Sequence, residues 1–229
     1  SYVLDVAREA GAKKRVVVSR PDSTELQTFL RGQSSVSNVF QPKPLGTGDA
    51  VRRCEKILRN KTDYLLILCG DVPLMQASCL RSFIQGVKNQ NATLGLLTTE
   101  VEDPTGYGRI VRNGSGEVAR IVEEKEASEE EKSIKEINAS IYLAKTDWLF
   151  AQLKSLKRHP TGEYYLTDIL EMARKESVSP VAVTQTPFYD YLGINTQKEL
   201  AWADQILRER IVARWMAEGV RFLDPKTTY

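Results

Sequence analysis

Histidine is nearly missing: His159 is the only one in 229 residues. Ser/His/Asp and Cys/His arrangements therefore have little support, and so does a zinc site. The three cysteines, Cys54, Cys69 and Cys79, are an odd number without metal-ligand spacing. Cys69 ends an apolar run, and the set reads as reduced thiols of a cytoplasmic protein. No apolar stretch approaches membrane-spanning length, and no secretory signal opens the chain. Neither sign of charge dominates, because 32 basic residues nearly cancel 30 acidic ones and leave +2. That balance gives no reason to expect nucleic acid or an anionic membrane as partner, so any phosphate binding has to come from a local site. An initiator methionine is lacking too. The chain opens in what reads as the middle of a helix and stops abruptly after Asp224-Pro225, as a fragment cut at both ends would.

What is present is 41% hydrophobic residues in a regular order, enough to bury a core in one large α/β domain or two small ones. Helical patterns at Tyr2–Ala10, Ser23–Arg31, Gly48–Arg59 and Ala77–Lys88 alternate with strand-like runs at Arg15–Ser19, Val36–Gln41, Tyr64–Cys69 and Ala92–Thr99. RVVVS reads as a strand buried on both faces, and YLLILC as a buried strand. This rhythm argues for a parallel, doubly wound sheet with ligands outside the carboxyl ends of its strands. The pattern then changes. Arg109–Arg112 and Val118–Glu123 flank a hairpin signal at Asn113–Gly116. Ile137–Ala144 is a strand, Asp147–Leu156 and Leu166–Glu176 are helical, and strands are expected near Val181–Thr184 and Tyr189–Ile194. Gln197–Glu218 reads as a long helix packing through Leu200, Ala203, Leu207, Ile211 and Trp215.

Several polar residues sit where chemistry would need them, each with a plain alternative. Asp71 lies two residues beyond the YLLILC strand, where a carboxylate suits Mg²⁺ shared with substrate phosphates. It could equally be a turn or capping aspartate. In Gln41–Gly48 the glycines can offer backbone N–H groups to a base or phosphate, and Gln41 can present an acceptor and donors to a pyrimidine edge. An ordinary strand-to-helix loop explains the same residues. The turn cluster Asp103–Arg109 is either a reversal or a loop that carries N–H groups to a sugar. Glu123 and Asn138, at strand ends, are either solvated or hydrogen-bonded to a neutral polar ligand. Asn195 either completes a magnesium site with Asp71 or, like Thr196, simply caps the last helix. His159, beside Pro160, belongs on a loop.

Six blocks, LCGDVPL, DPTGYGRIVR, IVEEKEA, EIN, GEYYLTD and GIN, occur in the order and spacing of one family. Over residues 2–225 the chain resembles the uridyltransferase domain of the bacterial bifunctional N-acetylglucosamine-1-phosphate uridyltransferase/glucosamine-1-phosphate acetyltransferases. The resemblance implies an α/β, Rossmann-like nucleotidyltransferase fold: a mostly parallel central sheet, helices on both faces and a small added β region. It implies UTP and N-acetylglucosamine-1-phosphate as substrates, UDP-N-acetylglucosamine as product and Mg²⁺ as cofactor. Asp71 and Asn195 would hold the metal and be the catalytic pair. Gln41, Gly46 and Thr47 would contact the uracil end, with Cys69 and Gly70 beside the phosphates. Gly108, Glu123 and Asn138 would bind the sugar. Residues 1–196 would form the transfer domain, and 197–229 a helix and the start of a linker to an acetyltransferase half through which the parent forms trimers. Three departures stand out. The family's glycine-rich LAAGxGTRM-type segment, with its arginine and a following lysine, should precede Ser1, which implies weak turnover by this piece alone. Cys69 stands where many relatives carry tyrosine, and Pro44 where a second glutamine is common. A related enzyme for another sugar phosphate, or a non-catalytic nucleotide-sugar-binding module, would share much of this pattern.

Overall fold

The computed structural model describes residues 2–228. Helix α1 (Tyr2–Glu9) ends before Gly11, whose φ of 100° suits glycine, and leads into β1 (Arg15–Ser19). Helix α2 (Thr24–Arg31) crosses back to β2 (Val36–Phe40), which pairs with β1 in parallel. Then come α3 (Thr47–Arg52), α4 (Glu55–Leu58), β3 (Tyr64–Ile67), α5 (Ala77–Asn89) and β4 (Leu94–Glu100). Strands β5 (Arg109–Arg112) and β6 (Val118–Val122) form the expected hairpin. A short α6 (Glu129–Lys132), closed by a Ser128/Glu131 capping box, precedes β7 (Glu136–Lys145). The chain finishes with α7 (Thr146–Leu153), α8 (Ile169–Lys175), β8 (Val181–Thr184) and α9 (Gln197–Ala217).

Strands β3, β4 and β8 run in one direction, and β7 threads antiparallel between β3 and β4. The α/β class stands. The β5–β6 hairpin, joined to β7 through Arg109 and Ile137, is the small added β region. Side chains alternate across the sheet and supply two cores. On one face Leu94 and Leu96 of β4, with Tyr142 and Ala144 of β7, pack against Leu149, Phe150 and Leu153 of α7 and Ile169, Leu170 and Ala173 of α8. On the other, Leu97 with Ile141 and Leu143 meets Leu80, Phe83 and Val87 of α5. Gly95 is required there, because a Cβ would stand 2.2 Å from Val87 Cγ2. No helix among the described residues is long and apolar enough to cross a membrane.

Four expectations need correction. The strand β1 is half-buried rather than buried on both faces, and β3, expected to be buried, is half-buried too. Among the described residues each pairs with one neighbour only, β1 with β2 and β3 with β7, so each has an edge without a partner strand. The helix expected over 48–59 is two helices broken at Arg53-Cys54, with Cys54 turned into the core. Tyr189–Ile194 is not a strand. Phe188–Tyr191 forms a 3₁₀ turn closed by Asp190 N–H to Pro187 O, because the buried Asp190 carboxylate is drawn inward by Arg210. Finally, the apolar stripe of α9 does not pack as a unit. Ala203 is buried, but Leu200, Ile211 and Trp215 are exposed, and the helix is anchored instead through Ala203, Val212 and Arg210.

Candidate functional site

Beyond β3 the chain passes through Leu68 and Cys69 into a turn that leaves Asp71 exposed at the rim. The Asp71 carbonyl accepts from Ile194 N–H at 2.9 Å, which holds the 193–195 segment alongside. Gly193 lies between the two candidate ligands. A Cβ on it would stand 3.1 Å from Asp71 Oδ2 and 3.7 Å from Asn195 Nδ2. Those distances taken together bound the gap between the two side chains, and a larger residue at 193 would press on the carboxylate. A charged oxygen donor and an amide oxygen, both solvent-facing, fit a hard cation that keeps waters and completes its shell from phosphates. Among the described residues no cluster of three or more His, Cys, Asp or Glu could hold a metal unaided. Thr196, not Asn195, caps α9: its hydroxyl accepts from Glu199 N–H, and Glu199 Oε2 accepts in return from the Thr196 and Asn195 N–H groups. The Asn195 side chain is left free of the capping role.

Cys69 is partly buried behind Asp71, its Sγ 3.7 Å from Ser140 O. Burial, helped by the Asp71 charge, pushes its thiol up to about 11, so it stays protonated at neutral pH. Gly70 faces open space, with nothing within 4 Å of a built Cβ.

A second group is organised by a bulge in β7. Its register against β4 slips between Leu97 and Thr98, and Ser140 takes a left-handed φ of 56°. Asn138 supports the bulge: its Oδ1 accepts from Ser140 N–H at 3.1 Å, and its Nδ2 donates to the Tyr142 hydroxyl at 2.6 Å. The Asn138 backbone N–H donates to Gly108 O at 2.9 Å. A Cβ on Gly108 would meet Ile121 Cγ2 at 2.9 Å and Glu123 Oε2 at 3.5 Å. Gly108, Glu123 and Asn138, distant in sequence, are thus brought to one place. Burial pushes the Glu123 carboxyl above its ordinary range, opposed by a hydrogen bond from Thr167 Oγ1 at 3.4 Å. The Tyr142 phenol is buried and pushed up by burial, and Ser140, whose N–H bonds Asn138 and whose carbonyl meets Cys69 Sγ, links this group to the Asp71 rim. The turn cluster before Gly108 is already satisfied internally. Thr105 N–H bonds Asp103, Tyr107 N–H bonds Pro104 O, and Gly106 N–H bonds Glu124, whose carboxylate also holds the buried Arg109. The reversal reading suffices for those amides.

The third group surrounds Gln41. Its Nε2 donates to Gly46 O at 3.0 Å and to Asp49 Oδ2 at 2.9 Å, so both amide hydrogens are engaged and Oε1 is the group left to accept. Asp49 is buried. Burial pushes its carboxyl up, but hydrogen bonds from Gln41, Arg53 and Arg52 outweigh it and leave the group below the usual carboxylate range. The glycines here answer to the protein. Gly48 N–H donates to Tyr164 O at 2.9 Å, and a Cβ on Gly46 would stand 2.6 Å from the same oxygen. The Thr47 hydroxyl accepts from Leu166 N–H at 3.2 Å. The GEYYLTD segment therefore clamps the Gln41 loop at Tyr164–Leu166 and reaches the Glu123 group through Thr167. Just outside it, His159 stacks on Tyr165 and bonds Asp168 at 2.9 Å.

Sequence reasoning missed four supporting residues: Gly193 between the candidate ligands, Tyr142 beneath Asn138, Thr167 on Glu123 and Asp49 behind Gln41. Gly193 and Thr167 lie inside the GIN and GEYYLTD blocks. Tyr142 and Asp49 carried no signal, since an inward tyrosine of a strand and an acidic first helical turn are both commonplace.

A family model described as Nucleotidyl transferase matches residues 1–205. The "Bifunctional protein GlmU" of Geotalea uraniireducens is 40% identical over 230 residues, covering 100% of this chain and 50% of the relative. That of Exiguobacterium sibiricum is 37% identical over 229 residues, covering 100% of this chain and 51% of its own. The chain thus spans about half the length of the curated relatives it matches. A solved structure from Bacillus anthracis, assigned as a glucose-1-phosphate thymidylyltransferase in complex with a sucrose, superposes with a TM-score of 0.68 over 98% of this chain and 84% of that one. Its identity is 18%, a likeness of fold alone.

Proposed function

Because the chain belongs to the nucleotidyl transferase family, we propose that it carries the uridylyl-transfer site for UTP and N-acetylglucosamine-1-phosphate, releasing UDP-N-acetylglucosamine and pyrophosphate. A phosphate oxygen of the sugar-1-phosphate attacks the α-phosphorus of UTP, the bond to the β-phosphate bridge breaks, and pyrophosphate leaves. The observation that carries this reading is the convergence of Asp71 and Asn195 around Gly193, joined through Cys69 and Ser140 to the Asn138 group. Mg²⁺ bound there would neutralise charge between two anionic reactants, the main obstacle to bringing them together.

The chain's own residues do the orienting. With its amide hydrogens engaged, Gln41 offers Oε1 to a base that presents an N–H, as uracil does at N3. Glu123 accepts from a sugar hydroxyl or acetamido N–H, and its partial burial strengthens that bond. Gly108 lets its strand pack closely on Ile121 and Glu123, which keeps the Glu123 carboxylate in place. None of these groups is a nucleophile; they bind and align.

The same reading takes residues 1–196 as the transfer domain and 197–229 as a helix and linker. It puts the basic glycine-rich segment upstream and a trimer-forming acetyltransferase half downstream. A pyrophosphate-release assay across a panel of sugar-1-phosphates and nucleoside triphosphates tests the assignment, best in the full-length protein. UTP with N-acetylglucosamine-1-phosphate should be the preferred pair, and Asp71→Ala should abolish it in a folded protein. Preference for a thymidylyl or guanylyl donor, or undiminished turnover by the variant, would overturn it.

A further inference from the structure

We propose that Asp190 and Arg210, which do not reach the site itself, are positioning residues that set the gap between Asp71 and Asn195. The proposal rests on the metal-site reading above. Three segments have to be held in register for that gap to be fixed: the turn 71–76, the segment 188–195 and α9. One buried cluster ties all three. Asp190, 0% exposed, accepts from Gln76 Nε2 at 2.7 Å through Oδ2 and pairs with Arg210 through Oδ1. Arg210 Nη1 also donates to Leu74 O at 2.6 Å, three residues beyond Asp71, while its guanidinium lies 5.7 Å from the centre of the Tyr189 ring.

Asn195 is fixed to the other end of the same helix, through its N–H to Glu199 and the Thr196 capping box. The turn runs along α9 between these points, with Leu74, Gly193, Ile194, Glu199, Trp202 and Ala203 lining a single small cavity. Asp71 is tied near Asn195 by its carbonyl to Ile194 N–H, and three residues later the turn is tied to Arg210. The helix therefore acts as a ruler between the two candidate ligands. Ion pairs with a buried carboxylate contribute little net stability relative to apolar replacement, and here the pair ties three segments at one point. Donation from two nitrogens of one guanidinium, Nη1 to a backbone carbonyl and Nη2 to a carboxylate, fixes direction as well as distance.

Mn²⁺ titration of the isotope-labelled chain, followed by paramagnetic broadening of backbone amides, reads the site without requiring turnover. In the unaltered protein, broadening should centre on residues 70–72 and 193–195, and Asp71→Ala should remove it. The double variant Asp190→Asn, Arg210→Met takes away both charges of the pair together and so leaves no unpaired charge on the buried side chain at 190. It should weaken Mn²⁺ binding about 10- to 100-fold, the usual effect of losing groups that orient metal ligands. Arg210→Lys, which can still bond Asp190, should recover part of the loss. Val212→Ala loosens the same helix without touching the cluster and should leave Mn²⁺ affinity unchanged. If the double variant binds Mn²⁺ as tightly as the unaltered protein while Asp71→Ala does not, the positioning role is overturned. If Asp71→Ala also binds normally, the metal reading falls and takes the positioning role with it.

Discussion

Glu123 carries a tension between binding and stability. Its folded-state pKa is raised by burial above the glutamate value of 4.5, so ionisation is harder in the fold than in the open chain. Its contribution to stability is therefore fully present below the ordinary glutamate range and lost as pH rises through the raised value. Glu123→Gln cannot ionise and escapes that loss. Relative to the unaltered protein, the variant should melt at the same temperature or higher at pH 7.5, with the difference shrinking by pH 4, while UDP-N-acetylglucosamine binding weakens. A melting temperature lowered equally at both pH values would show that the carboxylate is not a buried liability. Asp71 and Asn195 were readable as candidates because each follows a strand or turn signal within a short, distinctive block. Their nearness was not readable, since it depends on Gly193 and on a hydrogen bond between segments more than a hundred residues apart.

Among the elements, the clamp between the Gln41 loop and the GEYYLTD segment is the most exacting. The glycines at 46 and 48 looked like an invitation to a ligand, whereas much of their demand for space comes from Tyr164 and Leu156. A Cβ at 48 would stand 2.6 Å from Leu156 Cδ1 and 3.0 Å from Tyr164 O. At 46 it would also face a φ of 90°. Gly48→Ala should destabilise the protein by about 1–3 kcal/mol in urea denaturation, the range for overpacking a filled site. Gly70→Ala meets open space and should change stability by no more than about 0.5 kcal/mol. Equal midpoints for the two variants would contradict the clamp. Element positions were recoverable because helix and strand periods are local. Where they failed, a distant partner had intervened: Asp190 drawn to Arg210 turned an expected strand into a 3₁₀ turn, and Cys54 turned inward where one helix became two.

At the scale of the whole molecule, the alternation of helices and strands announced the α/β class, and six ordered blocks carried the family. The insertion of β7 between β3 and β4 could not be read, because an antiparallel neighbour leaves the same apolar run in the sequence as a parallel one. Nor could the edges of β1 and β3 that have no partner strand among the described residues, where both strands are half-buried despite their β-branched and apolar composition. The two-stranded sheet β1–β2 and the six-stranded sheet carry three groups joined by hydrogen bonds: Gln41 with the 163–168 segment, Glu123 with Gly108 and Asn138, and Asp71 with Asn195. These suit the base, the sugar and the phosphates of one extended nucleotide-sugar. The central claim is that the last pair grips the metal that joins protein to phosphates. Calorimetric binding of UDP-N-acetylglucosamine with and without Mg²⁺ tests it most directly. Mg²⁺ should tighten binding to the unaltered chain and give no such gain in Asp71→Ala or Asn195→Ala. An equal gain from Mg²⁺ in all three proteins would contradict the account.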